Sequence, residues 1–177
     1  MRRKERERDA AFAWRVLAKA PYGVLAMTDT EGKPYCVPVS PAADLDYGVI
    51  YFHCATEGTK LDAIGKDHRV CLSAVGHAAA LPNAFEMEYA SATFRGRAEV
   101  VTDESERVKA MLLLCKLYDP KGMGRFDEVM GKYFSRTTVV KIVPDEITAK
   151  QYCGDHPDPF AAETLQEGRK VGGGPIG

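Results

Sequence analysis

The sequence has no apolar run approaching the roughly 20 residues that a bilayer-spanning helix needs, and its start, MRRKERERDA, has no apolar stretch behind its charges. A soluble, cytoplasmic protein is therefore expected. No CxxC pair occurs. The five cysteines, Cys36, Cys54, Cys71, Cys115 and Cys153, are odd in number and widely spaced, which argues for reduced thiols rather than a disulfide framework or a zinc ribbon. His68, His77 and His156 lack metal-ligand spacing, so they are expected on the surface and no metal is expected. Net charge is nearly absent, at -1 with a pI near 6.4, which removes the positive field that nucleic-acid binding relies on. The patterns GxGxxG, GxxxxGK(S/T), GxSxG and HExxH are missing too, and with them the commoner motif-borne chemistries.

What the 177 residues do contain is 45% hydrophobic residues, enough for one globular domain of ordinary size. Phe12, Val16 and Ala20 fall at helical spacing with Leu17 beside them, so residues 2–20 read as an amphipathic helix that Pro21 ends. The basic start, Arg2, Arg3, Lys4, Arg6 and Arg8 interleaved with Glu5 and Glu7, reads as a solvated helix face rather than an anion-binding arm. Trp14 stands off the stripe, at a subunit interface or partly in the core. YGVLAMT and PYCVPVS read as a hairpin through Gly32. Pro38 donates to no ladder, so it marks an edge, a bulge or a ligand-facing position.

Beyond the turn LDYG, residues 49–55 read as a third strand, TKLDAIGKD as a short helix with Leu61 and Ile64 inward, and residues 69–76 as a fourth strand. Residues 77–85 show no period and read as a loop. Residues 87–101 read as a long strand with Gly96 at a bulge or bend. Asp103 is the expected N-cap of a helix ending at residue 118, with Glu106 in capping-box position and Met111, Leu112, Leu114 and Cys115 on its apolar face. After DPKGMG and a short helix, FDEVMGKYF, residues 137–145 read as the closing strand. About six strands with short helices between them predict a mainly β, antiparallel fold, because parallel units need a full helix between nearly every strand pair. Residues 1–152 form the expected domain, and 153–177 a tail that is mobile or associated with another subunit.

The stretch YFHCATEGTKLDAIGKD carries the clearest chemistry. A strand delivers His53, Cys54 and Ala55 to its end, Gly58 lets the backbone turn sharply, and Thr59 and Lys60 open a helix. Free N–H groups and the helix dipole favour an anion there, the hydroxyl donates, and the ammonium adds a point charge. A solvated turn with a capping threonine would look the same, and the residues alone leave both readings open. A nucleophilic Cys54–His53 pair is disfavoured, because adjacent strand residues face opposite sides.

The runs YFHCATEGTK…DHRVCLS and MEYASATFRGRAEVV, with the opening MRRKERE, resemble the pyridoxamine 5′-phosphate oxidase-like superfamily in its nitroimidazole-resistance branch, over roughly residues 1–147. The resemblance implies a six-stranded antiparallel split β-barrel that binds FMN at the subunit interface of a homodimer. It makes Thr59 and Lys60 the contacts of the FMN phosphate and runs His53, Cys54 and Ala55 along the isoalloxazine ring. It sets the backbone of Val37 and Val39 near the polar edge of the ring, with Pro38 facing the ligand, and brings Tyr89 and Ser91 from the partner chain. His53 becomes the candidate catalytic residue, a neutral imidazole able to donate a hydrogen bond or proton to a nitro group under reduction. A histidine that only packs on the ring is the competing reading.

Two positions depart from the family pattern. Asn83, Ala84, Phe85 and Glu86 stand where many relatives have a tryptophan, with Phe85 the nearest substitute, and Ala90 stands where an arginine is common. The implied activity is that of an FMN-dependent oxidoreductase passing electrons from NAD(P)H to a small organic acceptor, possible nitroaromatics included, the flavin carrying the electron chemistry and the protein placing it. Pyridoxamine-phosphate oxidation itself is disfavoured, because ITAKQYCGDHPDPF has no counterpart of that enzyme's basic substrate motif. The alternatives are a non-catalytic flavin-binding module, or the same barrel holding haem or a deazaflavin.

Overall fold

Asp9 starts the first long helix: its carboxylate accepts the Phe12 N–H at 2.8 Å, satisfying one of the donors a helix start leaves unpaired. In the computed structural model, which describes residues 2–156, 158 and 160, that helix, α1, spans Ala10–Lys19. The expected helical start at residue 2 is thus corrected. Ahead of Asp9 lie a single 3-10 turn, Lys4–Arg6, and a two-residue strand, β1 (Glu7–Arg8). The alternating charges carry no apolar period that would extend the helix backwards, so the capping aspartate decides where it begins.

The hairpin forms as expected from β2 (Gly23–Thr28) and β3 (Pro34–Val39), with Gly32 at φ +85° in the turn. β4 (Ala42–Asp44) then pairs with β5 (Val49–Cys54) across LDYG, and α2 (Thr59–Lys66) leads into β6 (Arg69–Leu81) and β7 (Glu86–Val100). Next come α3 (Glu104–Tyr118), α4 (Phe126–Tyr133) and β8 (Thr138–Tyr152). The strands run β3-β2-β6-β7-β8-β5-β4 with β1 added on β8, all pairings antiparallel. The fold is therefore mainly antiparallel β with short helices, compatible with a split barrel. Among the described residues it has eight strands rather than six; the two that sequence reading passed over, β1 and β4, have two and three residues. β3 ends the path, so the missing N–H of Pro38 interrupts no second ladder.

Residues 77–85 are not a loop. β6 continues to Leu81 after a bulge between Val75 and His77, pairing with β7 down to Leu81–Glu86, and only residues 82–85 turn. The run Ala78, Ala79, Ala80 gives no contrast between faces, which hid the alternation. β8 likewise passes Pro144 and continues to Tyr152 instead of ending at residue 145. Opposite Pro144 the register shifts between Arg95 and Gly96, as expected for a bulge at that glycine.

α1 buries Phe12, Ala13, Val16 and Leu17 on a cluster that includes Leu25, Phe52, Ile64, Leu72 and Phe94. Ala110 of α3 joins Val49, Tyr51, Val101 and Val139 in a second cluster. β5 thus has apolar partners for both faces, which accounts for its unbroken apolar run, VIYF. Asp103 caps α3 through the Glu106 N–H at 2.7 Å, but the Glu106 carboxylate turns to the Tyr51 hydroxyl (2.8 Å) and the Lys141 ammonium (3.1 Å), so the capping box is not reciprocal. On α3 it is Ala110 and Leu114 that are buried, while Met111, Leu112 and Cys115 are half-buried. The Trp14 ring lies 4.9 Å from that of Phe94, on the core side. Phe160 is buried with its ring 5.2 Å from Phe12. The rest of the expected tail, residues 157, 159 and 161–177, lies outside the described residues. Among the described residues no helix is long and apolar enough to cross a membrane.

Candidate functional site

β5 ends on His53, paired with Val139, and Cys54, paired with Thr138, both on β8. Ile50 and Phe52 belong to the main cluster and Cys54 packs against it, whereas Val49 and Tyr51 belong to the second cluster. His53, alternating with Cys54, is exposed on the opposite face, and Ala55 follows, also exposed. The chain then turns at Gly58, whose φ of +131° is rare for any residue with a side chain. α2 starts at Thr59 with no side-chain cap, and the Leu61 and Asp62 N–H groups return to the Gly58 carbonyl at 2.8 and 3.2 Å. The N–H groups of Thr59 and Lys60 have no acceptor within the helix. Beside them stand the exposed Thr59 side chain and the half-buried Lys60.

Lys60 Nζ lies 5.5 Å from the centre of the Phe52 ring. Although part of the His53 ring is exposed, crowding by its neighbours desolvates the imidazole, and this, with the Lys60 charge second, lowers its pKa below the ordinary value and favours the neutral ring at pH 7. Burial raises the pKa of Cys54 more than Lys60 lowers it, so the thiol stays protonated and is a poor nucleophile. His53, Cys54, Ala55, Thr59 and Lys60 therefore follow one another from the end of β5 into α2, with His53 and Cys54 on opposite faces of the strand.

The other expected residues are placed differently. Val37 packs against the main cluster and Val39 is buried, while Pro38 is exposed between them. They lie on the edge strand β3, whose neighbour β2 packs against α2, and Lys66 of α2 donates to the Thr30 carbonyl in the β2–β3 turn. Tyr89 and Ser91 are not brought to His53 within one chain. His53 is level with Val139, next to the Val100–Val140 pair, and from residue 100 back to residue 89 the strand covers on the order of 30 Å.

Tyr89 and Ser91 are half-buried and alternate with the buried Ala90 and Ala92, so they occupy the face of β7 turned away from the main cluster. The Tyr89 ring is 6.5 Å from that of Tyr152, its partner on β8, and the Arg6 guanidinium lies 3.7 Å over the Tyr152 ring. Hydrogen bonding to Tyr89 raises the pKa of Arg6 further above its ordinary value. Sequence reading placed Arg6 on a solvated helix face, whereas it lies in the 3-10 turn and stacks on Tyr152. A groove of about 360 Å³ opens at the α1–β2 junction, lined in part by Tyr22, Val24, Ser73, Val75 and Ala78. His77 is half-buried against Glu88, Nε2 to Oε1 2.7 Å, rather than free on the surface. Among the described residues no group of three or more His, Cys, Asp or Glu is placed to hold a metal ion.

Residues 9–151 match the protein family described as Pyridoxamine 5′-phosphate oxidase. No curated protein matches the chain. Among solved structures, a protein from Bacteroides thetaiotaomicron provisionally named for 5-nitroimidazole antibiotic resistance is 22% identical, with 80% of this chain and 83% of that one covered and a TM-score of 0.64. A flavocytochrome from Azotobacter vinelandii is 18% identical over 99% of this chain and 89% of that one, with a TM-score of 0.73. A FAD and haem binding protein from Mycobacterium smegmatis is 20% identical over 85% and 74%, with a TM-score of 0.67. At these identities the likeness is one of fold.

Proposed function

The chain belongs to the family described as Pyridoxamine 5′-phosphate oxidase, and on that premise we propose that it is an FMN-dependent oxidoreductase working as a cytoplasmic homodimer. The observation that carries this reading is the turn after β5, where Gly58 at φ +131° exposes an uncapped helix start to Thr59 and Lys60. Its donors, two first-turn N–H groups, a hydroxyl and an ammonium, suit a phosphate monoester. A Cβ built on Gly58 meets nothing within 4 Å, so the approach is open. Asp62, the acidic residue of that first turn, is exposed.

In this reading Thr59 and Lys60 hold the phosphate and the strand end His53–Ala55 lies along the ring, with Val37, Pro38 and Val39 at its polar edge. FMN, when bound, carries electrons from NAD(P)H to a small organic acceptor, nitroaromatics being the class to try first. The neutral His53 supplies a hydrogen bond to that acceptor through its ring N–H. The separation of Tyr89 and Ser91 from His53 favours a dimer, in which a partner copy presents them to the ring.

Purified protein tests the proposal. Oxidised-flavin absorbance that releases FMN, bleaches with NADH or NADPH and returns on adding a nitroaromatic supports it. Flavin that never bleaches supports a non-catalytic flavin-binding module. Colourless protein that takes up no FMN refutes it. The flavocytochrome and the FAD and haem binding protein among the structural relatives favour one second reading, the same fold holding FAD or haem, which released adenine nucleotide or a Soret band would reveal.

A further inference from the structure

β6 and β7 outrun the rest of the sheet. β6 pairs with β7 along its whole length but with β2 only over residues 71–74, and β8 follows β7 only as far as Tyr89, so residues 75–91 project as a hairpin arm. His77 and Glu88 brace the arm across its two strands, Nε2 to Oε1 2.7 Å. Alternate residues of β6 beyond Ala74 turn their N–H and C=O groups away from β7, and among the described residues no strand meets them. An exposed edge is ordinarily kept from pairing with another chain by a lysine, a proline or a bulge. Here a bulge lies at the base of the arm, between Val75 and His77, but the run Ala78, Ala79, Ala80 beyond it carries no such guard.

The tip of the arm holds Phe85, fully exposed and at φ +52°, a conformation that is costly for a bulky side chain and that Asn83, at +59°, takes more readily. A ring left in water gains nothing for the fold of one chain. The groove of about 360 Å³ walled by Pro21, Tyr22, Val24 and Val75 is apolar and roomy enough for such a ring. Phe85 cannot fill the groove of its own chain, because the strand from Val75 to Leu81 alone covers about 20 Å.

We propose that two copies of the chain join through these arms, the open edge of β6 lying antiparallel to the same edge of the second copy and each Phe85 entering the groove of the other. A twofold axis makes every such contact twice. Ala79 is four residues from Val75 and four from Asn83, so an axis beside Ala79 brings each tip level with the opposite groove. Two inserted rings bury about 300–500 Å², and the walls and edges that cover them a similar area, which approaches the roughly 1,000 Å² of a specific interface. This names the contact surfaces of the homodimer in the proposed function and rests on that part of the reading alone.

Sedimentation velocity of the full-length protein with FMN present measures the dimer dissociation constant. Phe85→Asn keeps a residue suited to the left-handed turn and removes the ring; it is expected to raise that constant at least about tenfold, the scale of a buried aromatic anchor, with the circular dichroism unchanged. Val75→Lys, which charges the groove from an exposed position, should do the same, so the result does not depend on one variant folding. Photo-crosslinking from benzoylphenylalanine at position 85, in mixed isotope-labelled and unlabelled protein, should join labelled to unlabelled chains through peptides holding Tyr22 or Val75. Crosslinks confined to one chain, to residues 161–177 for example, or a dimer that both variants leave intact, would overturn the arm pairing while the proposed function stands. Wild-type protein that is monomeric at every concentration would remove the arm pairing and the homodimer together, and FMN uptake then reports separately on the rest of the reading.

Discussion

Lys60 Nζ lies 5.5 Å from the centre of the Phe52 ring, on the residue immediately before His53. The ammonium is thus aimed back along β5, where it lowers the proton affinity of both His53 and Cys54. Lys60 thus adds charge at the helix start, and it acts on the strand end as a secondary influence after burial, reinforcing it at His53 and opposing it at Cys54.

Lys60→Ala is expected to weaken FMN binding by about 1.5–3 kcal/mol, the range for hydrogen bonds to a charged group, or roughly tenfold to a hundredfold in Kd. Thr59→Val removes a hydroxyl only and should cost less. Flavin-fluorescence titration measures both, and an unchanged Kd in Lys60→Ala would remove the phosphate seat from this turn.

The lowered pKa of His53 fixes a pH dependence of stability. The unfolded chain, with its imidazole near the ordinary value of about 6.5, takes up the proton before the folded chain does. Protonation therefore favours unfolding, and this contribution to stability is full above about pH 6.5 and is lost as the pH falls through and below it. His53→Asn should flatten the slope in that window while leaving the loss at carboxylate pH values in place. Urea midpoints measured between about pH 5.5 and about pH 7.5 for both proteins decide the matter, and parallel curves would defeat the assignment.

Tyr51 ties α3 to β5. Its hydroxyl is the buried donor to Glu106, which also receives Lys141 from β8, and hydrogen bonding to Tyr51 heads the effects that lower the Glu106 pKa. Tyr51→Phe keeps the ring and removes the bond. Because Lys141 still partners the carboxylate, the loss should sit near the lower end of the range for bonds to charged groups, about 1.5 kcal/mol. A urea midpoint lowered at unchanged slope would show it; an unmoved midpoint would mean the network adds nothing to stability.

The turn at Gly58 and the helix start at Thr59 were legible because their signal is local: glycine, hydroxyl and ammonium in consecutive positions at a change from strand to helix. The run VIYF and the α1 stripe were legible because burial follows their period directly. Three alanines erased the strand alternation of residues 78–80, and Pro144 reads as an end to β8 because nothing nearby reveals the bulge at Gly96 that accommodates it. Arg6 was illegible for a different reason. Its place over Tyr152 depends on β1 lying against β8, a pairing in which Arg8 reaches Gln151, 143 residues away, and no local pattern encodes that distance.

Gly96 gives the sharpest stability test, because the clash it avoids is with backbone. A Cβ built there would lie 2.1 Å from the Val143 carbonyl oxygen and 2.8 Å from Pro144 Cα, separations that real Cβ atoms do not show. A flexible neighbour could move aside, but here both atoms belong to β8, whose register is held on both sides of the bulge by pairing with β7. Gly96→Ala must therefore push β8 away from β7 at the bend. Overpacking of a close-fitting contact costs about 1–3 kcal/mol and occasionally more, and the upper half of that range is expected where main chain has to shift. At a typical urea slope of 1–3 kcal/mol/M, the midpoint should fall by about 1 M. Residue 96 is paired with neither His53 nor Lys60, so protein that stays folded should bind FMN as the wild type does. A Gly96→Ala protein as stable as the wild type would mean that the two strands do not approach this closely.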